Sequence, residues 1–335
     1  MRGMKNCSCC RRSFLESVAG ALALAGCRSS GLGRMPRHRS DYRGIEIGVI
    51  TYSWWHWDYV RKGPVFAGAD KVIAEARTAG LGTVELMGED AEVSLGVANS
   101  RPKTPAEHEA SLRERLAIRD AKWIALREKF ASAGISIHTV KFGWIGDAGG
   151  SAAEDDYFCK VAKLLGAKAI TREIPIRTSE RFRADEGPGA KLDLETARRC
   201  AAAADRNGIV IAFHNHMQVN MLTYDSPLLA LSPNLMINFD IGHFVAANET
   251  DAMDFVRKYR DRIFSIHIKD RTTPAHGSKN LPWGQGDTPL VPLFRHMLDA
   301  SWFPHCDIEF EYPVPSGSTA TREIGVCNRY CRDRI

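Results

Sequence analysis

Leu235-Met236-Ile237-Asn238-Phe239-Asp240-Ile241-Gly242-His243 is the stretch that decides how this chain folds. It opens as an apolar run of strand length and then gives way to an acid, a glycine and a histidine. A buried parallel strand reads this way when its C-terminal end opens into a site. Strand side chains alternate, so Met236, Asn238 and Asp240 share one face, and a turn at Gly242 would bring His243 back over it. The same residues also fit an Asp that caps the following turn with a His packed beside it.

Three other strand-like runs break at the same end. Phe213-His214-Asn215-His216 puts His214 and His216 on one face, Ser265-Ile266-His267-Ile268-Lys269-Asp270 groups Ser265, His267 and Lys269, and Asp307-Ile308-Glu309-Phe310-Glu311 aligns three acids. One such His is commonly a satisfied core residue. Four strands ending alike would be costly to bury without a cation or a substrate to pair the charges.

Around these runs the signals alternate. Strands are predicted at 46–52, 83–87, 135–141, 167–174, 209–214, 235–240, 263–268 and 307–311. Helices are predicted at 69–79, 192–207, 225–231, 251–260 and 290–300. Between the second and third strands one long helix is expected from Thr104 as N-cap, with Pro105 and a Glu107 capping box, to Gly134. Ser151 and Glu154 repeat the capping box, and the polar tail 321–335 is helix-compatible. Eight strands alternating with helices predict an α/β fold, a (β/α)₈ TIM barrel, with its site on the loops at the strand C-termini.

The chain has 335 residues, 44% of them hydrophobic, and a net charge of +5. Residues 1–43 hold nine Lys or Arg against Glu16 and Asp41, which leaves −2 for the remainder and no electrostatic footprint for nucleic acid. Arg11-Arg12-Ser13-Phe14-Leu15 followed by a short apolar run is a twin-arginine export pattern. Leu24-Ala25-Gly26-Cys27 resembles a lipobox. Residues 1–26 are therefore expected to be a removed signal peptide, Cys27 a lipidated N-terminus and residues 27–43 a tether, with the barrel at 44–335. That predicts an extracytoplasmic protein that meets the membrane only through its N-terminal lipid. Cys7, Cys9 and Cys10 fall in the removed segment, and a disulfide between Cys327 and Cys331 is open.

His214, Asp240, His267 and Glu309 form a mixed imidazole and carboxylate set suited to Mn²⁺, Zn²⁺ or Co²⁺. Such a cation polarises a sugar carbonyl while a nearby base moves the adjacent proton. Glu173 and Lys141 at neighbouring strand ends could be base or clamp, or a surface ion pair. His138, on the face opposite Lys141, reads as structural. Trp54, Trp55 and Trp57 suit either a platform for a sugar face or a lid packed on the barrel. No glycine-rich cradle accompanies Lys269 and Arg271, so a phosphate is not supported.

At these residues the chain resembles the xylose isomerase-like superfamily of sugar phosphate isomerases and epimerases, over about residues 44–313. Asn238-Phe239-Asp240-Ile241-Gly242-His243, Ser265-Ile266-His267-Ile268-Lys269-Asp270, Gly284-Gln285-Gly286-Asp287, Ile308-Glu309-Phe310-Glu311 and Thr83-Val84-Glu85-Leu86 are similar to its strand-end motifs. The resemblance implies Asp240, His267 and Glu309 as metal ligands. Glu309 and Glu311 are candidate proton carriers, and Glu173 joins them from its strand-end position rather than from the resemblance. His243, His216, Lys269, Glu85, Lys141 and Trp54 become candidate substrate contacts. His214 stands where the family's epimerases carry a glutamate, which puts two-glutamate epimerisation in doubt and keeps a 3-keto-glycoside lyase or hydratase open. The partner implied is a small sugar or glycoside. An apurinic endonuclease would need a further Asp-x-His pair after the seventh strand, absent from residues 268–280. A carbohydrate-binding barrel without catalysis is the third alternative, and oligomeric state stays open.

Overall fold

The computed structural model describes residues 40–56, 66–97, 102–147, 149–176, 191–248 and 251–335, with Met221 and Leu222 as backbone alone. The predicted signal peptide, Cys27, most of the tether and Trp57 lie outside the described residues. Among the described residues eight parallel strands form one curled sheet: β1 (Ile45–Val49), β2 (Thr83–Met87), β3 (Ser136–Lys141), β4 (Ala169–Glu173), β5 (Val210–His214), β6 (Leu235–Asp240), β7 (Ile263–Ile268) and β8 (His305–Ile308). From β2 to β8 each pairs with the next in the sequence, and β8 pairs with β1. A parallel bridge between Ile50 and Glu85, with the Thr51 N–H on the Glu85 carbonyl at 3.0 Å, ties the end of β1 to β2. Asp41–Tyr42 pairs antiparallel with β1, so strand pairing reaches into the segment read as tether.

Among the described residues the helices are α1 (Ala69–Ala79), α2 (Gly88–Val93), α3 (Pro105–Leu116), α4 (Asp120–Ser132), α5 (Ala152–Leu164), α6 (Leu194–Asn207), α7 (Met221–Asp225), α8 (Ile241–Ala247), α9 (Ala252–Tyr259), α10 (Leu290–Asp299) and α11 (Ala320–Arg334), with a further helical turn at 52–56. Among the described residues no helix is long and apolar enough to cross a membrane.

The boundaries follow local chemistry. Thr104 and Glu107 complete their capping box, Thr104 Oγ1 taking the Glu107 N–H and Glu107 Oε2 the Thr104 N–H. Ser151 caps α5 through the Glu154 N–H, but the Glu154 carboxylate binds His108 instead of closing the box. The single long helix expected from Pro105 is two, because the chain leaves helical geometry between Leu116 and Asp120. Two short helices at strand ends, α2 and α8, were not expected. The tail is amphipathic: α11 buries Ile324, Cys327 and Cys331, and both cysteines are free thiols.

Helix faces and outward strand residues form the apolar core, with Val72, Trp123, Phe130, Phe158, Phe213 and Phe255 nearly or fully buried. The barrel interior is polar. Glu85, Thr171, His214, Asn238, Ser265, His267 and Asp307 are all fully buried there. His138 joins them, contrary to the alternation that put it opposite Lys141. Val84 pairs with Ile137 but Glu85 with Thr139, so His138 is the extra residue of a bulge, and its Nε2 lies 3.0 Å from Asp307 Oδ1. Gly48 makes room for this pair, since a Cβ there would overlap Asp307 Oδ1.

Candidate active site

The tips of β5 to β8 bring four ligand-type side chains together. Donor atoms of His214, Asp240, His267 and Glu309, all buried, lie within 4.8 Å of one another. His214 Nδ1 is 2.7 Å from Asn238 Oδ1, and the Asn238 amide donates to Ser265 Oγ at 2.7 Å. That chain makes Nδ1 the protonated nitrogen and leaves Nε2 with a free lone pair. Burial, with Lys141 nearby, holds the imidazole well below its ordinary value, so the ring is neutral.

Asp240 divides its two oxygens between two jobs. Oδ1 accepts the His243 N–H at 2.7 Å and caps α8. Oδ2 accepts no hydrogen bond and lies 3.1 Å from Lys269 Nζ. The Asn215 side chain brackets the Asp240 peptide, accepting its N–H at 2.8 Å and donating to its carbonyl at 2.9 Å, so the tips of β5 and β6 are pinned to each other. Burial pushes the Asp240 carboxyl up to about 8, with Lys269 opposing and Glu309 adding to the push.

His267 stands between two carboxylates, Nδ1 at 2.9 Å from Glu309 Oε2 and Nε2 at 2.8 Å from Glu85 Oε2. Burial opposes its charge, but Glu85 and Glu309 raise the imidazole to about 10. Against the same pull of burial, Lys269 and His267 hold Glu309 well below the usual carboxylate range.

Lys269 reaches the rim, with Nζ 2.7 Å from Glu311 Oε2 and 3.1 Å from Glu309 Oε2. Gly242 permits this. It lies inside α8, and a Cβ on it would overlap the Lys269 side chain, so close approach rather than a turn demands glycine. His243 Nδ1 faces Arg271 Nη1 at 2.6 Å and its Nε2 faces Lys269 Nζ at 2.9 Å. Both cations only donate, whereas a neutral imidazole accepts at one nitrogen, so one of the two approaches is not a hydrogen bond. Burial and Lys269 keep that ring neutral.

Four strands round the barrel, Lys141 and Glu173 form an ion pair of 2.7 Å, with His216 Nε2 3.4 Å from the same carboxylate. Despite burial, His216 and Lys141 hold Glu173 well below its ordinary value. Glu311 follows β8 and lies beside Lys269 and His243, with His56 3.8 Å away.

The structure therefore groups Glu309, rather than Glu311, with the other three ligand-type residues. His216, His243, Lys269, Lys141, Glu173 and Glu311 gather at the mouth. Glu85 lies beneath His267 and is fully buried, and Trp54 is packed in the core. Sequence reading gave no role to Asn215, Ser265 or His56, and noted Asn238 only for its face. The one available signal was parity, since Asn238 and Ser265 each sit two residues before a ligand-type residue on the same strand face.

Residues 73–328 match the family described as xylose isomerase-like TIM barrel. An inosose dehydratase from Clostridium perfringens is 25% identical over 141 residues, which cover 36% of this chain and 47% of that protein. The chain thus spans about half the length of the curated relatives it matches. Among solved structures, D-psicose 3-epimerase from Clostridium cellulolyticum H10, solved with D-tagatose, superposes with a TM-score of 0.57 at 12% identity over 87% of this chain and 99% of that one. The 3-keto-D-glucoside 4-epimerase of E. coli superposes at 0.52 and 15% identity over 86% of this chain and 100% of that one. At such identities the structures speak for the fold alone, while the matched span of 73–328 places the chain in its group: it belongs to the xylose isomerase-like TIM barrel family.

Proposed function

We propose that this chain is a divalent-cation-dependent enzyme that moves a proton beside the carbonyl of a keto sugar or keto glycoside, as an isomerase or epimerase. One observation carries the reading. Four donor atoms from four consecutive strand ends converge in a buried space, and two of them, His214 Nε2 and Asp240 Oδ2, lack a hydrogen-bond partner. Buried polar atoms are rarely left so, and a cation would complete them. The set fits such an ion: a neutral imidazole with a directed lone pair, a second imidazole and two carboxylates suit Mn²⁺, Zn²⁺ or Co²⁺. Seated there, the ion would polarise the substrate carbonyl and acidify the neighbouring C–H.

The chain's own residues then handle the proton. Glu173 is held as a carboxylate and can accept it. Glu311, paired with Lys269 as Glu173 is with Lys141, is the second carboxylate that can exchange it. His243 and His216 are placed to bind sugar oxygens. The relatives include both epimerases and a dehydratase, and a second reading follows from His214: a histidine in place of a carboxylate leaves one fewer acid at the ion. Such a site suits proton removal and expulsion of a β-oxygen, which need a single base.

Metal-loaded protein incubated in D₂O with a panel of ketoses and 3-keto glycosides tests both. Deuterium at the carbon beside the carbonyl, with retention of all oxygens, is the expected result. Loss of a β-oxygen assigns the lyase. If the loaded protein binds a sugar yet exchanges no deuterium and releases nothing, it is a binding barrel and the enzyme reading falls.

A further inference from the structure

Glu85 takes no part in the chemistry above, yet its surroundings are fully determined. Its side chain is wholly buried. Oε2 lies 2.8 Å from His267 Nε2, and Oε1 accepts from Thr171 Oγ1 at 2.5 Å. Its backbone carbonyl takes the Thr51 N–H at the bridge that joins β1 to β2. One residue of β2 therefore crosses the barrel interior to hold a ring on β7, and the hydroxyl from β4 stops its carboxylate from rotating.

The two nitrogens of His267 face different worlds. Nδ1 points at Glu309 in the ligand group, and Nε2 points at Glu85, away from it. A histidine ligates through one nitrogen, and an acceptor on the other fixes the tautomer, locks the ring and raises ligand basicity. We propose that Glu85 is a positioning residue: by taking the Nε2 hydrogen of His267 it dedicates Nδ1 to the cation and so sets the affinity of the centre. Thr171 supports it at one remove. The inference rests on the metal reading of the same site, and it reassigns Glu85 from substrate contact to support.

The competing account is that Glu85 only staples the barrel. Chelator-stripped wild type, Glu85→Gln, Glu85→Ala and Thr171→Val are titrated with Co²⁺ alone, following heat, the visible ligand-field spectrum and the melting temperature of the metal-free protein. Loss of such a partner weakens metal binding by roughly 10- to 100-fold. Glu85→Ala is expected near the upper end, and Glu85→Gln, which keeps an acceptor oxygen of the same shape, near the lower end. Thr171→Val should lose a few-fold. The Co²⁺ spectrum should shift in Glu85→Ala and be largely restored in Glu85→Gln. If the alanine variant fails to fold, the glutamine variant decides. Wild-type affinity and spectrum in a Glu85→Gln protein that merely melts lower would leave Glu85 a staple and overturn the inference, with the metal reading intact. A wild type that takes up no Co²⁺ overturns both.

Discussion

Two buried ionic clusters sit in this molecule, and only one of them is built like a site. Beneath α3, Arg115 is almost fully buried and forks onto Glu92 at 2.7 and 3.1 Å, while His108 takes Glu154 at 2.8 Å. The guanidinium also lies 5.5 Å from the ring centres of Trp144 and Phe158. Arg115 has Glu92 as its named acid and His108 has Glu154, whose other buried oxygen, Oε1, has no hydrogen-bond partner but lies 3.8 Å from Arg115 Nη1, without other ligand-type atoms among the described residues converging on it. At the barrel mouth the charges are just as buried, but they are not matched one to one. Lys269 is shared by three carboxylates, and His214 Nε2 and Asp240 Oδ2 have no hydrogen-bond partner. Buried charge alone does not mark function, because a paired cluster can do no more than hold helices together. Ligand-type atoms that converge without hydrogen-bond partners are a better mark, because a cation would complete them.

The widest gap between the clusters should appear on removing one member of each. Asp240→Ala or His267→Ala deletes a proposed ligand, so Co²⁺ affinity should fall by more than the roughly 10- to 100-fold that loss of an outer partner costs, and turnover with it. The metal-free Asp240→Ala protein should melt no lower than wild type, since it loses a carboxyl that is hard to bury. Arg115→Met should do the reverse. Breaking a buried pair leaves an uncompensated charge and costs about 3–5 kcal/mol, seen as a lower urea midpoint, while Co²⁺ affinity stays at the wild-type value. A metal defect in Arg115→Met, or an unchanged one in Asp240→Ala, would erase the distinction.

pH separates them next. In the metal-free protein Glu85 and Glu309, against the pull of burial, push His267 up to about 10 and burial pushes Asp240 up to about 8, which favours the protonated form of both at pH 7. A cation must displace those protons, and each one released makes affinity rise with pH by up to about tenfold per unit. Affinity should therefore climb from pH 6 to pH 8, then less steeply once Asp240 has ionised, with proton release visible as a buffer-dependent heat. A flat profile over that range would mean that the ligand set is not the one assigned.

Much of this was legible in the sequence because alternation is a local rule. Leu235–Asp240 and Ile263–Ile268 have the predicted bounds, and the ligand-type residues at their ends meet as alternation requires. Asp240 caps α8 through Oδ1, as one of its two sequence readings required, and because a carboxylate has two oxygens Oδ2 is left over for the role proposed above. What was not legible depends on neighbours. The bulge that turns His138 inward exists only in the pairing of β2 with β3. The Asn215 bracket on Asp240 needs the tips of β5 and β6 side by side. The break between α3 and α4 falls at 117–119, where no glycine or proline announces it.

Ser265 offers the finest test of how the mouth differs from the outer cluster. Its hydroxyl accepts from the Asn238 amide, which fixes that amide's orientation, and the Asn238 oxygen in turn fixes the hydrogen of His214 on Nδ1. With Ser265→Ala the amide loses its restraint and can turn its NH₂ toward His214, which would favour the hydrogen on Nε2 and remove the lone pair offered to a cation. A neutral hydrogen bond contributes about 1 kcal/mol, so Co²⁺ affinity should drop by about three- to tenfold with little change in melting temperature. Ser265→Thr, which keeps the hydroxyl, should recover it. An equal loss of stability in both variants, without a change in affinity, would place the Ser265–Asn238–His214 chain with the outer cluster, as packing rather than preparation.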